Sequence, residues 1–321
     1  MSVPAPAELA EDSEFPATAW PDIPLWTENY CFVCYDPATE IGFWTHLGRA
    51  PFDPTLWREL SMIYLPSGER LVNKGYGRTE TDRGPGGATL SARCVEPWNR
   101  WRQRRDGAAI RTTVAELDTG MLHDRAHERV AFDLDWTGRA PVWDWGEVED
   151  AHQWGKVHYE QLCQVAGTVT VGGQSIAFDG HGLRDHTRGP RDFTVFSGHI
   201  WSWANFPSGR GFILLHLLVG GQQLTRAVLL EDGELVETTL ANPPVLHKRS
   251  QSGDPYLLEL GRHRVQAEII HPLPDGFDGP NDICLGYHPD VTATANFESF
   301  TRYQWDGEVG YGLTERSIRD H

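Results

Sequence analysis

Residues 180–192 read Gly-His-Gly-Leu-Arg-Asp-His-Thr-Arg-Gly-Pro-Arg-Asp and carry seven ionisable side chains: three Arg, two His and two Asp. A core strand does not normally hold such a load, because buried charges are costly unless they are paired or used. The flanks nonetheless predict sheet. Residues 167–178 read as strand, turn, strand, and residues 193–203 alternate as a further strand. If the charged run is extended, its period of two puts Arg184, His186 and Arg188 on one face, with Leu183, Asp185 and Thr187 on the other. The next strand would likewise present His199, Trp201 and Trp203 together. A hairpin of these two strands would set a cationic row beside an aromatic row. That pairing suits a ligand with one electron-rich end and one apolar end. Arg188, with Arg184, would donate to a carbonyl, carboxylate or phenolate. His186 would move a proton near neutral pH. Trp201 and Trp203 would hold an apolar body or a cationic transition state. The competing reading is an internal network of Arg184, Asp185, Arg191 and Asp192 that locks two sheets together. Asp185, Arg191 and Asp192 read as structural; His186 and Arg188 read as functional.

The elements that must position these residues are short strands. Alternating runs are broken by Gly, Pro, Asn and Asp, as in 61–69 and 227–234, at the roughly 8–12-residue spacing of an antiparallel sandwich or barrel. Helix signals are confined to residues 6–12 and 54–63. No βαβ rhythm appears, so a doubly wound sheet is excluded. An acidic, aromatic stretch at 142–155 marks the expected boundary. This gives a flexible segment over 1–19, one β-domain over 20–150 and a second over 151–321, which would carry the Arg-Asp-His run.

The chain has 321 residues, enough for one large domain or two smaller ones. A net charge of -17 disfavours nucleic acid and anionic membranes as partners. The 13 Trp favour core packing together with walls for flat or greasy ligands. The five Cys are scattered. Cys31 and Cys34 lie three apart on an extended run and so face opposite ways, which predicts buried thiols rather than a metal or redox pair. No secretory leader and no apolar run long enough to span a bilayer is visible, so a cytoplasmic location is expected. Gly84-Pro85-Gly86-Gly87 is too broken by Pro for a phosphate loop. His123 and His127 are four apart but fall in a strand-turn-strand window, where a solvated turn is the simpler reading. No metal is expected.

The pattern Tyr159-Glu160-Gln161, Gly167, Gly172-Gly173, then Gly180-x-Gly182-x-Arg184-Asp185-His186-x-x-Gly189-Pro190-Arg191-Asp192 resembles the second half of the lipocalin-like carotenoid 1,2-hydratase (hydroxyneurosporene synthase) superfamily. The terminal Gly310-Tyr311-Gly312-Leu313-Thr314-Glu315 is also similar to the way such chains end, and looser agreement covers residues 155–321. The superfamily also includes fungal decalin-forming Diels–Alderases and lipid-binding survival factors. The resemblance implies an all-β fold of two lipocalin-like antiparallel β-barrels packed together, with few short helices, a largely apolar pocket and no organic cofactor. His186 matches the motif's Asp-His. Arg188 stands where the motif more often has an aromatic residue. Where the hydratases carry a Tyr-x-Asp, residues 212–218 offer no carboxylate, only His216.

These readings converge on a cofactor-independent enzyme for a hydrophobic, oxygen-bearing small molecule such as a terpenoid, steroid, polyketide or aromatic. The expected step is hydration, dehydration or cyclisation. His186, Arg188, Arg184 and His216 are the expected catalytic residues. Trp201, Trp203, His199 and Tyr159 are the expected substrate wall. A lipid- or terpenoid-binding protein without turnover is the alternative.

Overall fold

The computed structural model describes residues 5–6, 9–50, 52–78, 82–119, 122, 126–145, 157–279, 282–288, 290 and 292–319. His123 and most of the expected 142–155 boundary lie outside them. The chain forms two compact units. The first comprises Met1–Arg111 and Asp124–Arg191, the second Thr112–His123 and Asp192–His321.

The first unit contains β1 (Trp26–Asp36), β2 (Ile41–Ala50), β3 (Asp53–Tyr64), β4 (Arg70–Gly77), β5 (Leu90–Glu96), β6 (Arg100–Thr112), β7 (His127–Gly138), β8 (Trp143–Asp144), β9 (Val157–Val171) and β10 (Gln174–Pro190). They make one antiparallel sheet in the order β10-β1-β2-β3-β4-β6-β7-β9-β8, and the pairing of β9 with β10 closes the path into a barrel. Its core packs Phe32, Phe43, Trp101, Phe132, Trp136 and Phe178. The strands β10, β1 and β7 approach closely. A Cβ on Gly182 would lie 2.6 Å from both the Val33 carbonyl oxygen and the Trp136 ring, so this motif glycine is there for lack of space.

The second unit begins with a short helix, α1 (Val114–Leu117), whose Thr113 and Glu116 form a capping box. Its strands are β11 (Phe196–Asn205), β12 (Gly211–Val219), β13 (Gln222–Glu231), β14 (Glu234–Thr238), β15 (Leu240–Ala241), β16 (Tyr256–Leu260), β17 (His263–His271), β18 (Pro274–Asp278), β19 (Asp282–Leu285), β20 (Thr294–Trp305) and β21 (Glu308–Arg319). The sheet order is β14-β13-β12-β11-β21-β20-β17-β16-β15, with β18 joined to β19 and β20. Ile200, Phe212, Leu214, Leu258, Tyr303 and Trp305 build its core.

The all-β reading therefore holds, while four local expectations change. Residues 54–63 are not helical. They belong to β3, which is buried continuously from Trp57 to Tyr64 and pairs along its length with β2 and β4. Of the expected 6–12 helix, residues 7 and 8 lie outside the described residues, and its end falls in a 3-10 turn at Glu11–Glu14. The 1–19 segment is not simply a loose arm, because Glu14 is fully buried. The division falls at Arg191/Asp192 instead of 150/151, because β9 and β10 complete the first sheet; the charged run thus belongs to the first unit. Cys31, Cys34, Cys94 and Cys163 are buried free thiols. Among the described residues no helix is long and apolar enough to cross a membrane.

Candidate functional site

The run 184–188 is extended within β10, with β1 on one edge and β9 on the other. Both edges are therefore used, and β11 lies in the other sheet. The expected hairpin between the cationic and aromatic strands does not form. Between them Asp192 caps a 3-10 turn, its Oδ1 accepting from the Thr194 amide at 2.8 Å.

Arg184, His186 and Arg188 share the interior face of the first unit, together with Tyr159 of β9 and Tyr30 of β1. Their partners are two glutamates that the sequence reading passed over. Glu14 Oε1 accepts from Arg184 Nη1 at 2.7 Å and from the Tyr159 hydroxyl at 2.8 Å, and its Oε2 accepts from Trp101 Nε1 at 2.9 Å. Glu28 Oε1 accepts from Arg188 Nε at 2.7 Å and lies 3.0 Å from His186 Nε2; its Oε2 lies 3.3 Å from Arg49 Nε. His186 Nδ1 is 2.7 Å from the Tyr159 hydroxyl. Burial opposes the charge on Glu28, yet the His186 bond and the neighbouring Arg188 and Arg49 hold its carboxyl down to about 2. Burial also lowers the His186 pKa, with Arg188 adding to the effect. A neutral imidazole that donates from Nε2 to Glu28 leaves Nδ1 as an acceptor. The Tyr159 hydroxyl then has three acceptors in reach, Nδ1, Glu14 and the Ser13 carbonyl at 3.1 Å, and one proton to give. Both His186 nitrogens are thus engaged within a buried network. The expected lock of Arg184, Asp185, Arg191 and Asp192 between two sheets is not what forms: within the first unit Arg184 pairs with Glu14 and Asp185 with His158, while Asp192 caps the 3-10 turn.

The opposite face of the same strands carries Asp185, His158 and Glu160. His158 Nε2 lies 2.6 Å from Asp185 and 3.3 Å from Glu160. Burial would lower the His158 pKa, but Asp185 and then Glu160 raise it to about 9. The three donor atoms lie within 4.8 Å of one another. A protonated His158 pairs through Nε2 with both carboxylates there.

In the second unit, sheet register builds two adjacent rows on the face turned away from the hydrophobic core. One row is Asp275, Asn296, Ser317 and His199; the next is Glu298, Glu315 and Trp201. His199 Nε2 is 2.8 Å from Glu315 Oε1, and its Nδ1 is 2.6 Å from the Ser317 hydroxyl. Asn296 Nδ2 donates to Glu315 at 3.2 Å and to Glu298 at 3.4 Å. Asp275 is fully buried, with Asn296 beside it in the register. Burial, then the charge of Glu315, push the Asp275 and Glu298 carboxyls well above their ordinary range and so favour their protonated forms. Phe196 and Phe277 flank His199, with ring centroids 4.9 and 6.0 Å away, and Phe277 stacks on Phe193. Two neutral acids, an imidazole–carboxylate pair and an aromatic wall can together give and take a proton on an apolar molecule.

Of the expected residues, His199, Trp201 and Trp203 thus share one face of the second unit, while Arg184, His186, Arg188 and Tyr159 share one interior in the first. His216 joins neither. It faces the other side of β12, opposite Ile200, with its Nδ1 2.7 Å from the Thr225 hydroxyl. Asp275, Asn296, Glu298 and Glu315 were missed, although carboxylates set two apart from polar residues on apolar strands (Asn296/Glu298, Glu315/Ser317) carried the signal. Glu14 carried none.

The two antiparallel sheets, the first closed on itself, define an all-β fold that solved structures share over nearly the whole chain. The fold matches an AttH from Nitrosomonas europaea at a TM-score of 0.62 and 13% identity, over 93% of this chain and 97% of that one. Kievitone hydratase from Nectria haematococca matches at 0.58 and 12%, over 99% and 96%. CghA with Sch210972 matches at 0.55 and 12%, over 97% and 96%. The chain belongs to the family described as domain of unknown function (DUF7064), whose model matches residues 10–242. No curated protein matches the sequence.

Proposed function

We propose that this protein is a cofactor-independent enzyme performing a lyase or isomerase step on a hydrophobic, oxygen-bearing small molecule: hydration, dehydration or cyclisation of a terpenoid, steroid, polyketide or aromatic. The observation that carries this reading is the acid row of the second unit. Asp275 or Glu298 donates a proton to an alkene carbon or a leaving hydroxyl. His199, paired to Glu315 through Nε2, takes the balancing proton of the attacking water or the adjacent carbon by way of the Ser317 hydroxyl held on its Nδ1. Trp201, Trp203, Phe196 and Phe277 hold the apolar body and exclude water. His186, Arg184, Arg188 and Tyr159 act as the positioning network of the first unit. Two neighbours in fold, kievitone hydratase and CghA with Sch210972, support the same class of chemistry.

The test is solvent labelling. A panel of terpenoid, steroid and aromatic alkenes and alcohols is incubated with the protein in D2O and read by mass spectrometry. The expected result is a product that carries solvent deuterium on carbon where an alkene is protonated, or has lost water where an alcohol is dehydrated, and that disappears in Asp275→Asn and His199→Asn. A compound that binds tightly and is recovered unchanged throughout would establish a carrier and overturn the enzyme reading.

A further inference from the structure

In the first unit, the face turned away from the core carries polar atoms that the protein leaves unsatisfied. Asn29 on β1, and Trp44 and His46 on β2, are only 2%, 3% and 4% exposed. Among the described residues, Asn29 Nδ2, Trp44 Nε1 and both ring nitrogens of His46 have no hydrogen-bond partner. Register brings them together. Asn29 pairs with Gly48, and His46 and Trp44 precede Gly48 at steps of two on the same face. A Cβ on Gly48 would lie 2.7 Å from Asn29 Oδ1 and 2.8 Å from His46 Cε1, so the missing side chain makes room for both. The His46 ring is stacked parallel to Trp44, with centroids 5.7 Å apart and planes at 8°. Burial, then the nearby Arg58 and Arg191 charges, hold His46 neutral, so it offers one donor and one acceptor. Native proteins keep few buried polar groups unpaired, because each carries its full desolvation penalty. Asn29 and His46 meet at one glycine, with Trp44 stacked on His46, and in a cationic field they fit an electron-rich oxygen.

We propose that Asn29, Trp44 and His46 form a binding subsite for an acceptor oxygen, a ketone or enolate, of an apolar small molecule. The Asn29 amide and the neutral His46 imidazole supply the donors, and the Trp44 ring, stacked on His46, lies beside them as an apolar surface. The inference draws on the ligand class proposed above but needs no turnover, so it is read by equilibrium binding alone and its failure leaves the labelling experiment untouched.

The probes are 2-acetylnaphthalene and its hydrocarbon analogue 2-isopropylnaphthalene, titrated calorimetrically into the full chain. The ketone is expected to bind at least about tenfold more tightly than the hydrocarbon. His46→Phe, which keeps the stack on Trp44, and Asn29→Leu are each expected to weaken the ketone about tenfold and leave the hydrocarbon unchanged. Both variants should also melt higher than the wild type, since an unpaired polar group is removed from a buried position. In the wild type, ketone binding should shift the 15N resonances of His46, a readout independent of any variant's folding. Equal affinity for the two probes, no binding of the ketone, unmoved His46 resonances, or a ketone preference that survives both substitutions would each overturn the proposal.

Discussion

Single side chains in this protein differ sharply in what burial does to them. Glu28 keeps its charge in the interior because Arg188, Arg49 and His186 surround it. Its folded pKa of about 2 lies below the ordinary 4.5, so its contribution is present above pH 4.5 and drains away as pH falls toward 2. Glu28→Gln strands two guanidiniums and should cost about 3–5 kcal/mol in urea unfolding at pH 7. An undiminished midpoint would show that the network adds nothing. His158 runs the opposite way. Its folded pKa of about 9 exceeds the unfolded 6.5, so its stabilisation is complete below pH 6.5 and is lost as pH rises through 9. The span corresponds to roughly 3 kcal/mol. His158→Gln should flatten the alkaline limb of the stability profile, and an NMR titration of the wild type should place the imidazole near 9. Asp275 holds a proton that the unfolded chain gives up above about pH 4, so its burial weakens the fold as pH rises. Asp275→Asn mimics the protonated form and should be more stable than the wild type at pH 8. Equal stability would remove the buried-acid description on which its proton-donor role depends.

At the scale of elements, period two was the reliable signal and pairing partners were the hidden one. The sequence faces of 184–188 and 199–203 are as alternation predicts, since each strand alone decides which side chains it turns which way. What alternation cannot say is which strand lies alongside. The long β10 is paired on both edges, which sends the motif's cations inward onto Glu14 and Glu28 and leaves His199 to a different sheet. Period also fails where both faces are buried: from Trp57 to Tyr64 every residue of β3 is covered, so its apolar spacing suits a helix as well as a strand. Asp275 was illegible for a related reason, since its meaning comes from β20 and β21 crossing beside β18. The motif glycines, by contrast, were legible as punctuation and prove to be strand contacts. Gly182→Ala would drive a Cβ to 2.6 Å from the Val33 carbonyl oxygen, where backbone must move. It should cost about 3 kcal/mol, the upper end of ordinary overpacking. Gly253→Ala, whose Cβ would meet nothing within 4 Å, is the control and should be near neutral. Equal melting temperatures for the two variants would refute the close-approach explanation.

At the scale of the whole molecule, the two units are interleaved in the chain. Residues Thr112–His123 leave the first unit, serve the second, and return before β7. The excursion is anchored to the second unit at both backbone and side chain. The Leu117 carbonyl accepts from the Tyr287 amide at 2.9 Å, Asp118 lies 2.6 Å from Arg249, and the Leu117 side chain is fully buried. A cut at 191/192 would therefore deprive the second unit of a piece of its own structure, which no composition shift in the sequence reveals. Leu117→Ala removes buried methyls from that anchor and should cost about 2–5 kcal/mol. The loss belongs to the unit that uses the residue, not to the unit adjacent in sequence. Hydrogen exchange is the measurement that separates them: amide protection should fall at Tyr287 and along β18 and β20, while β1 and β10 keep theirs. Loss of protection confined to β6 and β7, the flanking strands in sequence, would show instead that the segment belongs to the first unit and would erase the interleaved division.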